Sequence, residues 1–136
     1  MSEGEIVVID DSYLILDRIR ARLHAEGYQV HITIGAAAAA LHIRTADLAI
    51  VDFHMPGLDG AEMLTMLKSS AAPGNTCLYY LYTSDRSVAT RYREYGFDGA
   101  FMRKGEEDAL VSQVSAVFRT IRMRKLAKKI RDERLP

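Results

Sequence analysis

The sequence predicts an α/β protein in which a parallel sheet carries helices on both faces. Two stretches, residues 6–9 and 48–51, are continuous apolar runs of strand length, and each is rich in β-branched residues. Because neither run alternates with polar residues, both suit strands that are buried on two faces. Strand and helix patterns alternate five times along the 136 residues, which is typical of βαβ units with right-handed crossovers. A chain of this length is expected to form one domain, residues 1–136, without the help of disulfides.

Three strands and three helices are predicted in the first half of the chain. Residues 6–9 form the first strand, and Ser12 is expected to cap a helix over residues 13–26, whose apolar positions recur at helical spacing. Residues 28–34 alternate apolar and polar side chains, as a half-exposed edge strand does. The remaining elements are a helix over 36–44, the central strand ending at Asp52, and a helix over 60–69 capped by Asp59.

The second half of the chain is predicted to add two strands and two helices. Gly96 is expected to close the first of these helices, because glycine tolerates the left-handed conformation found at helix ends. In chain order, the elements are a strand over 76–83, a helix over 86–95, a strand over 99–102 and a helix from residue 106 to about residue 131.

The end of the last helix differs from the rest of the chain in charge. Basic and acidic residues balance at 18 each overall, so we do not expect the whole surface to bind nucleic acid. Residues 122–134 nevertheless hold seven basic and two acidic residues, a local charge of +5. We therefore place the domain core at residues 5–120 and treat residues 121–136 as a basic extension. Apolar residues at 123, 126 and 130 leave three interpretations open: a solvated helix end, a helix that docks a partner or dimerises, and a segment that binds nucleic acid or an anionic surface.

The composition argues against membrane, disulfide-rich and zinc-binding proteins. No apolar stretch reaches membrane-spanning length and no signal-peptide pattern is present, so we expect no membrane partner and a cytoplasmic protein. The single cysteine, Cys77, has apolar neighbours and is expected to be a buried thiol in a reducing compartment. His24, His31 and His42 lie far apart without metal-ligand spacing, and we interpret them as ordinary surface or edge residues.

Polar side chains follow four of the predicted strands at the point where each strand ends. They are Asp10 with Asp11, Asp52, Thr83 with Ser84, and Lys104. In a parallel sheet these ends share one edge, so residues far apart in the sequence converge there. Clustered carboxylates repel unless a cation joins them, and Mg²⁺ is a hard cation that accepts one or two carboxylates plus a phosphate. A carboxylate can attack phosphorus, while the metal and the Lys104 ammonium would neutralise charge on the transferring group and Thr83 would donate a hydrogen bond to it.

This set of residues resembles the receiver domain of two-component response regulators. The resemblance covers roughly residues 5–120 and rests on Asp10-Asp11, the stretch D-F-H-M-P-G-L-D-G over residues 52–60, Thr83-Ser84 and Lys104. It implies a flavodoxin-like (βα)5 fold, a five-stranded parallel sheet of order 2-1-3-4-5 with helices on both faces. It further implies that Asp52 is the phosphoacceptor, which takes a phosphoryl group from the phosphohistidine of a histidine kinase or a histidine phosphotransfer protein.

The resemblance also implies a metal site. Asp11, Asp52 and the backbone carbonyl of His54 would hold Mg²⁺ directly, and Asp10 would act on the ion through water.

The remaining implied roles concern phosphoryl transfer and switching. Lys104 would pair with the phosphoryl group, and Thr83 would move towards it and release space for the aromatic residue Phe101. Such a domain promotes its own phosphorylation and dephosphorylation without being a turnover enzyme. Its phosphorylated state would alter contacts with an output protein, and these contacts could include a dimer through the last helices.

One position departs from the family pattern. Family members usually have a proline with a cis peptide bond after the lysine, whereas Gly105 follows Lys104 here. Since glycine relaxes the backbone, the lysine loop could be looser or differently shaped. Two other functions stay open: a pseudo-receiver that docks a protein partner without phosphorylation, and a metal-dependent phosphatase of related fold with His54 in the place of a second acid–base aspartate.

Overall fold

A computed structural model describes residues 3–55 and 58–134, and for His54, Met55 and Leu58 it describes the backbone alone. At its centre lies a sheet of five parallel strands in the order 2-1-3-4-5, as predicted. A two-residue antiparallel ribbon follows the third strand. The five strands of the sheet are β1 (Glu5–Ile9), β2 (Gln29–Thr33), β3 (Leu48–Asp52), β4 (Leu78–Tyr82) and β5 (Gly99–Phe101).

Helices cover the sheet, and two of their predicted caps are present. Ser12 Oγ accepts a hydrogen bond from the Ile15 amide at 3.3 Å, and Asp59 Oδ1 accepts one from the Glu62 amide at 2.9 Å. In the described part of the chain the helices are α1 (Tyr13–Ala25), α2 (Ala36–Ile43), α3 (Gly60–Ser70), α4 (Arg86–Thr90) and α5 (Glu107–Arg134), with a 3-10 turn at Tyr92–Tyr95.

The prediction of one helix over residues 86–95 is wrong in its second half. α4 ends at Thr90, Arg91 leaves the helical region with φ −102° and ψ 25°, and the chain continues as a 3-10 turn. This tighter turn ends at Gly96, which is left-handed with φ 93°. Phe97 follows and is buried, with 3% of its surface exposed. The helical pattern is therefore overridden where the chain turns Phe97 into the core.

The sheet is buried on both faces, as the apolar runs predicted. Val7 and Ile9 of β1 pack with residues of α2, α3 and α4, while Ile6 and Val8 pack with residues of α1 and α5. Every residue of β3 is buried. β2, by contrast, is an edge strand: Gln29 is exposed and the next three residues are half-buried. The central strand that ends at Asp52 is therefore the most enclosed element of the fold.

α5 carries apolar side chains on two different faces. Its core-facing residues include Leu110, Val114 and Phe118, which are at most 2% exposed. Residues 122–134 are all exposed, and a second apolar set, here called the outer stripe, consists of Met123, Leu126 and Ile130, which are 65%, 52% and 42% exposed. Met123 lies two and a half helical turns after Val114, so the outer stripe points away from the domain core. None of the helices described, α5 included, has both the length and the apolar character that crossing a bilayer requires.

The buried thiol predicted at Cys77 is present. Cys77 is 7% exposed and has no disulfide partner. Burial, followed by the nearby carboxylates of Asp47 and Asp98, raises the pKa of this thiol to about 12. It is therefore protonated at neutral pH and behaves as a small apolar side chain.

Two of the histidines meet, which the sequence did not indicate. The rings of His31 on β2 and His42 on α2 stack with centroids 4.0 Å apart and an interplanar angle of 11°. His31 Nε2 lies 3.2 Å from Glu5 Oε2, which also accepts a hydrogen bond from Thr45 Oγ1 at 2.7 Å. Burial, and then the charge of His31, lower the pKa of His42, and Glu5 opposes this effect. The stacked pair therefore favours neutral His42 in the folded protein.

We expect this pair to make folding stability depend on pH. The pKa of His42 is lowered from an ordinary value of 6.5, so the unfolded chain binds the proton more readily than the folded protein does. The contribution of His42 to the free energy of unfolding is therefore fully present above this pH. As the pH falls below about 6.5, the free energy of unfolding should decrease until His42 is protonated in the folded state too. Urea denaturation followed by circular dichroism at several pH values measures the slope. His42→Gln should make the slope shallower, and His24→Gln, a change at an exposed histidine, is the control; equal slopes in all three proteins would contradict the expectation.

Candidate functional site

The carboxyl edge of the sheet brings together polar residues that are far apart in the sequence. Parallel pairing places Ile9 beside Val51, so Asp10 and Asp11, which follow β1, lie next to Asp52 at the end of β3. One ligand oxygen from each of these three carboxylates lies within 4.8 Å of the others. Asp10 and Asp52 are buried, and Asp11 is exposed. The edge therefore holds a compact group of carboxylates with one member open to solvent.

Lys104, in the loop between β5 and α5, reaches into this group. Its Nζ lies 2.8 Å from Asp52 Oδ1 and 3.1 Å from Asp10 Oδ2. The side chains of Asp10, Asp52 and Lys104 are 3%, 6% and 17% exposed. One ammonium group therefore bridges two largely desolvated carboxylates, which makes each charge depend on the others.

The electrostatic balance of this group is visible in two pKa shifts. Burial raises the pKa of Asp10; the Ser12 amide, whose hydrogen bond it accepts, opposes the shift, and the charge of Asp52 adds to it. Burial alone would lower the pKa of the Lys104 ammonium, but its hydrogen bond to Asp52 and the charges of Asp52 and Asp10 outweigh burial and raise the pKa. The site therefore keeps Lys104 cationic. The ionised form of Asp10 is disfavoured by burial, so an additional cation near it would stabilise its charge.

The three carboxylates suit a small divalent cation. Oxygen ligands around octahedral Mg²⁺ lie about 2.9 Å apart when adjacent and about 4.1 Å apart when opposite, as bond lengths of 2.0–2.1 Å require. The oxygens of Asp11 and Asp52, the two carboxylates expected to bind the ion directly, lie within 4.8 Å of each other, so each would shift by up to about 1 Å to reach the adjacent spacing. Asp10 lies within the same distance of both, which suits a contact through a coordinated water. The backbone of His54 lies in the short ribbon, paired with Asp59, but its side chain is outside the described residues. A role for its carbonyl as a ligand stays a prediction.

The chain after Asp52 is held close to the start of α3. The Gly60 amide donates a hydrogen bond to the Phe53 carbonyl at 2.7 Å. A Cβ atom at position 60 would lie 2.8 Å from Phe53 Cα, so only glycine fits. Gly60 thereby ties the loop behind the central carboxylate to α3, and Asp59 caps the same helix.

Thr83 and Phe101, the predicted switch residues, are both buried. Thr83, which follows β4, is 3% exposed, and its Oγ1 accepts a hydrogen bond from the Asp85 amide at 3.1 Å. Asp85 in turn caps α4 by accepting from the Ser87 amide at 3.0 Å. Phe101 is 1% exposed and its ring lies 4.6 Å from that of Tyr80. The Thr83 hydroxyl thus belongs to the turn that leads from the carboxyl edge into α4.

The loop that carries Lys104 has an unusual backbone. Arg103 is left-handed with φ 62°, the one non-glycine residue of the described chain with positive φ, and Gly105 has φ 98°. No peptide bond in the described ranges is cis, so this loop differs from the cis-proline loop usual in the family. The backbone after β5 therefore takes a shape that the glycine at position 105 permits.

Two residues that the sequence did not single out hold this loop. Gln113 of α5 accepts a hydrogen bond from the Met102 amide at 2.8 Å and donates one to the Met102 carbonyl at 3.0 Å. On the other side of Lys104, the Tyr82 hydroxyl accepts a hydrogen bond from the Gly105 amide at 3.2 Å. The sequence did offer one sign that the backbone is held here: glycine at position 105 has a backbone N–H that can donate a hydrogen bond, and a proline would not. Its partner could not be found from spacing, because Tyr82 lies on a different strand.

Comparison with known proteins identifies the family. The family model for the response regulator receiver domain matches residues 6–115. The chain is 32% identical over 113 residues to the virulence sensor protein BvgS of Bordetella bronchiseptica, which covers 77% of this chain and 9% of BvgS. It is 28% identical over 120 residues to the transcriptional regulatory protein FixJ of Bradyrhizobium diazoefficiens, which covers 87% of this chain and 58% of FixJ.

The fold comparison agrees. The signal receiver domain of a signal transduction histidine kinase from Syntrophus aciditrophicus superposes with a TM-score of 0.69 at 28% identity, covering 87% of this chain and 92% of that domain. The chain spans less than two thirds of the length of BvgS and of FixJ, so the likeness to these relatives concerns one of their parts. With the family model matched over most of the chain, the protein belongs to the response regulator receiver domain family of two-component signalling.

Proposed function

We propose that this receiver domain accepts a phosphoryl group on Asp52 and that the modified form changes its contacts with other proteins. The observation that carries the proposal is the buried group in which Lys104 Nζ lies 2.8 Å from Asp52 Oδ1 and 3.1 Å from Asp10 Oδ2. In the reaction, the P–N bond of a phosphohistidine breaks and a P–O bond to Asp52 forms. The imidazole leaves with the electron pair of the broken bond and takes a proton from solvent.

The neighbouring residues support the transfer through charge and position. Lys104 is cationic and contacts Asp52, so its ammonium group would bind an oxygen of the phosphoryl group during the transfer. Bound Mg²⁺ would neutralise the charge of the phosphoryl oxygens, held by Asp11 and Asp52, with Asp10 acting through water and the His54 carbonyl as a further ligand. Thr83 lies at the same edge, and its hydroxyl would donate its proton to a phosphoryl oxygen, since the bond from the Asp85 amide uses only an acceptor lone pair.

We propose a histidine kinase or a histidine phosphotransfer protein as donor. The solved relative with 28% identity is the receiver domain of a histidine kinase, and BvgS is named a sensor protein. We also propose that the output passes through contacts with another protein or protein segment; FixJ, another relative, is named a transcriptional regulatory protein. On this proposal the domain promotes its own phosphorylation and dephosphorylation but turns over no other substrate.

The proposal is tested by intact mass after incubation with acetyl phosphate. With Mg²⁺ present, the P–O bond of acetyl phosphate breaks, acetate leaves, and the protein gains one phosphoryl group of about 80 Da. The gain should vanish when EDTA removes the metal, because the carboxylates then repel the incoming anion. If neither acetyl phosphate nor a panel of phosphorylated histidine kinases transfers the group, the phosphorylation model fails. A docking domain that works without phosphorylation would then be the better description.

We further propose that the outer stripe of α5 contacts a second copy of this chain. Met123, Leu126 and Ile130 are exposed and face away from their own core. Their spacing of three and four residues matches the seam of a two-helix coiled coil. Arg122 and Lys129 directly precede Met123 and Ile130, so they border this seam. In an antiparallel pair of identical helices, Arg122 of one copy would approach Lys129 of the other and weaken the dimer at low salt.

We therefore expect self-association to become tighter as salt is added. Screening the repulsion between Arg122 and Lys129 should strengthen the dimer by about fivefold between 50 and 500 mM NaCl, the scale of exposed charge pairs. Sedimentation equilibrium measures the dissociation constant at both concentrations. Leu126→Glu should remain monomeric, and Leu41→Glu, a change at a leucine of α2 that is 70% exposed, should dimerise normally. Self-association that weakens with salt would contradict the repulsion assigned to Arg122 and Lys129, and a wild-type monomer under all conditions would refute the dimer.

A further inference from the structure

We propose that Tyr82 is a positioning residue for Lys104 and acts through the backbone of Gly105. The proposal rests on the proposed function, because the aim of the Lys104 ammonium affects the reaction only if a phosphoryl group reaches Asp52. Family members usually have a proline after the lysine, whose fixed φ stiffens the loop. This chain has Gly105 instead. A hydrogen bond from another strand takes over the stiffening.

The φ preferences of its residues do not favour the shape of this loop, although the Glu106 amide closes the turn by donating to the Arg103 carbonyl at 3.1 Å. Arg103 has φ 62°, a conformation that non-glycine residues disfavour because Cβ comes too close to the following carbonyl. Gly105 has φ 98° and is the residue type that loses the most freedom when it is fixed. The space beside Gly105 is also open, because no atom lies within 4 Å of the position that a Cβ would occupy, so side-chain packing does not hold the backbone there. Lys104 stands between these two residues, so its direction depends on outside contacts.

Two contacts supply this restraint, one on each side of Lys104. Gln113 binds both the amide and the carbonyl of Met102, at 2.8 and 3.0 Å. These bonds fix the chain where it leaves β5 but do not reach beyond the lysine. The Tyr82 hydroxyl fixes the far side by accepting the Gly105 amide at 3.2 Å. Without that bond, the turn would be closed only by its own contacts, the Glu106 amide on the Arg103 carbonyl at 3.1 Å and the Arg103–Glu106 ion pair, and it would lose its tie to β4 on the far side of the lysine.

Tyr82 is well placed for this task. Its register partner on the neighbouring strand is Asp52, so the strand that carries the hydroxyl is hydrogen-bonded to the strand that carries the acceptor. Tyr82 is 2% exposed, which leaves its ring little freedom. The ring also lies beneath the lysine, with Nζ 5.7 Å from the ring centroid, at the distance of a cation–π contact. Tyr82 therefore contacts both the side chain of Lys104 and the backbone that aims it.

The experiment compares two buried tyrosines of β4. Tyr82→Phe keeps the ring and removes only the oxygen that accepts the Gly105 amide. Tyr79→Phe is the matched control, because its buried hydroxyl has no hydrogen-bond partner among the described residues. The rate of phosphoryl gain from acetyl phosphate with Mg²⁺ is measured by intact mass, in the wild-type background and with Lys104→Met. Exchange of the Gly105 amide with deuterium is followed by NMR in the same proteins.

We expect Tyr82→Phe to slow phosphorylation by about twofold to tenfold, as the loss of one hydrogen bond implies, and to leave the Mg²⁺ dissociation constant unchanged. In the Lys104→Met background the same change should have no further effect, because there is no ammonium left to position. The Gly105 amide should exchange faster, and Tyr79→Phe should match the wild type in all three measurements. This pattern would separate positioning from a general loss of folding.

Two results would overturn the proposal. One is a Tyr82→Phe protein that phosphorylates at the wild-type rate; the other is an equal slowing with and without Lys104, which would mean that the hydroxyl acts through the fold. If the wild type gains no phosphoryl group from acetyl phosphate or from the kinase panel, the proposed function fails, and exchange of the Gly105 amide alone tests the restraint of the loop. Unchanged exchange in Tyr82→Phe would refute the restraint of the loop, whereas faster exchange would support it independently of phosphorylation.

Discussion

Asp52→Asn should abolish the Mg²⁺-dependent gain of a phosphoryl group from acetyl phosphate. The amide that replaces the carboxylate has nearly the same shape but no anionic oxygen to attack phosphorus. Asp52 is the carboxylate nearest to Lys104, at 2.8 Å, and is buried at the end of the central strand. Its loss would remove the acceptor and a metal ligand together. Intact mass at a sequence of times after mixing is the measurement.

A second aspartate offers a matched control for this change. Asp59 follows shortly after Asp52 in the sequence, but it is exposed and caps α3. Asparagine is also a good helix cap, so Asp59→Asn should fold normally and gain the full phosphoryl group. If Asp52→Asn still gains about 80 Da, and hydroxylamine removes the group as it does from acyl phosphates, then another carboxylate is the acceptor. The assignment of Asp52 would then be wrong.

Lys104→Met should lower the free energy of unfolding by about 3 kcal/mol in EDTA, because removing one partner of a buried ion pair leaves an uncompensated charge. The effect is large here because one ammonium serves two carboxylates, Asp10 and Asp52, which are 3% and 6% exposed. Mg²⁺ should stabilise the variant more than it stabilises the wild type, since the ion supplies the positive charge that the lysine supplied. Urea denaturation with EDTA and with Mg²⁺ measures both effects.

An exposed lysine separates the effect of burial from that of charge alone. Lys125 Nζ lies 3.4 Å from Asp47 Oδ1, and the two side chains are 68% and 27% exposed. Lys125→Met should change the free energy of unfolding by less than about 1 kcal/mol, because water screens such a pair. Should Lys104→Met be no less stable than Lys125→Met in EDTA, or should Mg²⁺ stabilise all the proteins equally, the coupled charge group inferred here would be refuted.

Local signals in the sequence were reliable where the physics is local. The caps at Ser12 and Asp59 join a side chain to an amide three residues later, so spacing alone reveals them. The burial of β3 follows from a run without polar residues. The convergence of Asp10, Asp52 and Lys104 was also predictable, because each follows a strand and parallel strands end at one edge. The strand order itself came from the resemblance to the receiver family and not from composition or periodicity.

Spacing was less reliable where distant contacts compete with it. The helical pattern over residues 86–95 continues in the sequence, yet α4 ends at Thr90 and the chain turns so that Phe97 becomes buried. His31 and His42 carry no shared motif and nevertheless stack, because α2 packs against the edge strand β2. In both places, packing between elements decides what the local pattern leaves open.

The sequence by itself thus determined which side chains stand at the carboxyl edge and which chemistry they allow. Only the tertiary structure decided how they are held: Lys104 contacts Asp52 across 52 positions of the chain, and the Tyr82 hydroxyl holds Gly105 from another strand. The physical reason is that residue type and period encode interactions within a few residues, whereas contacts between strands depend on sheet order and register. A receiver site can therefore be recognised from strand-end residues, but the restraint on its lysine has to be read from the fold.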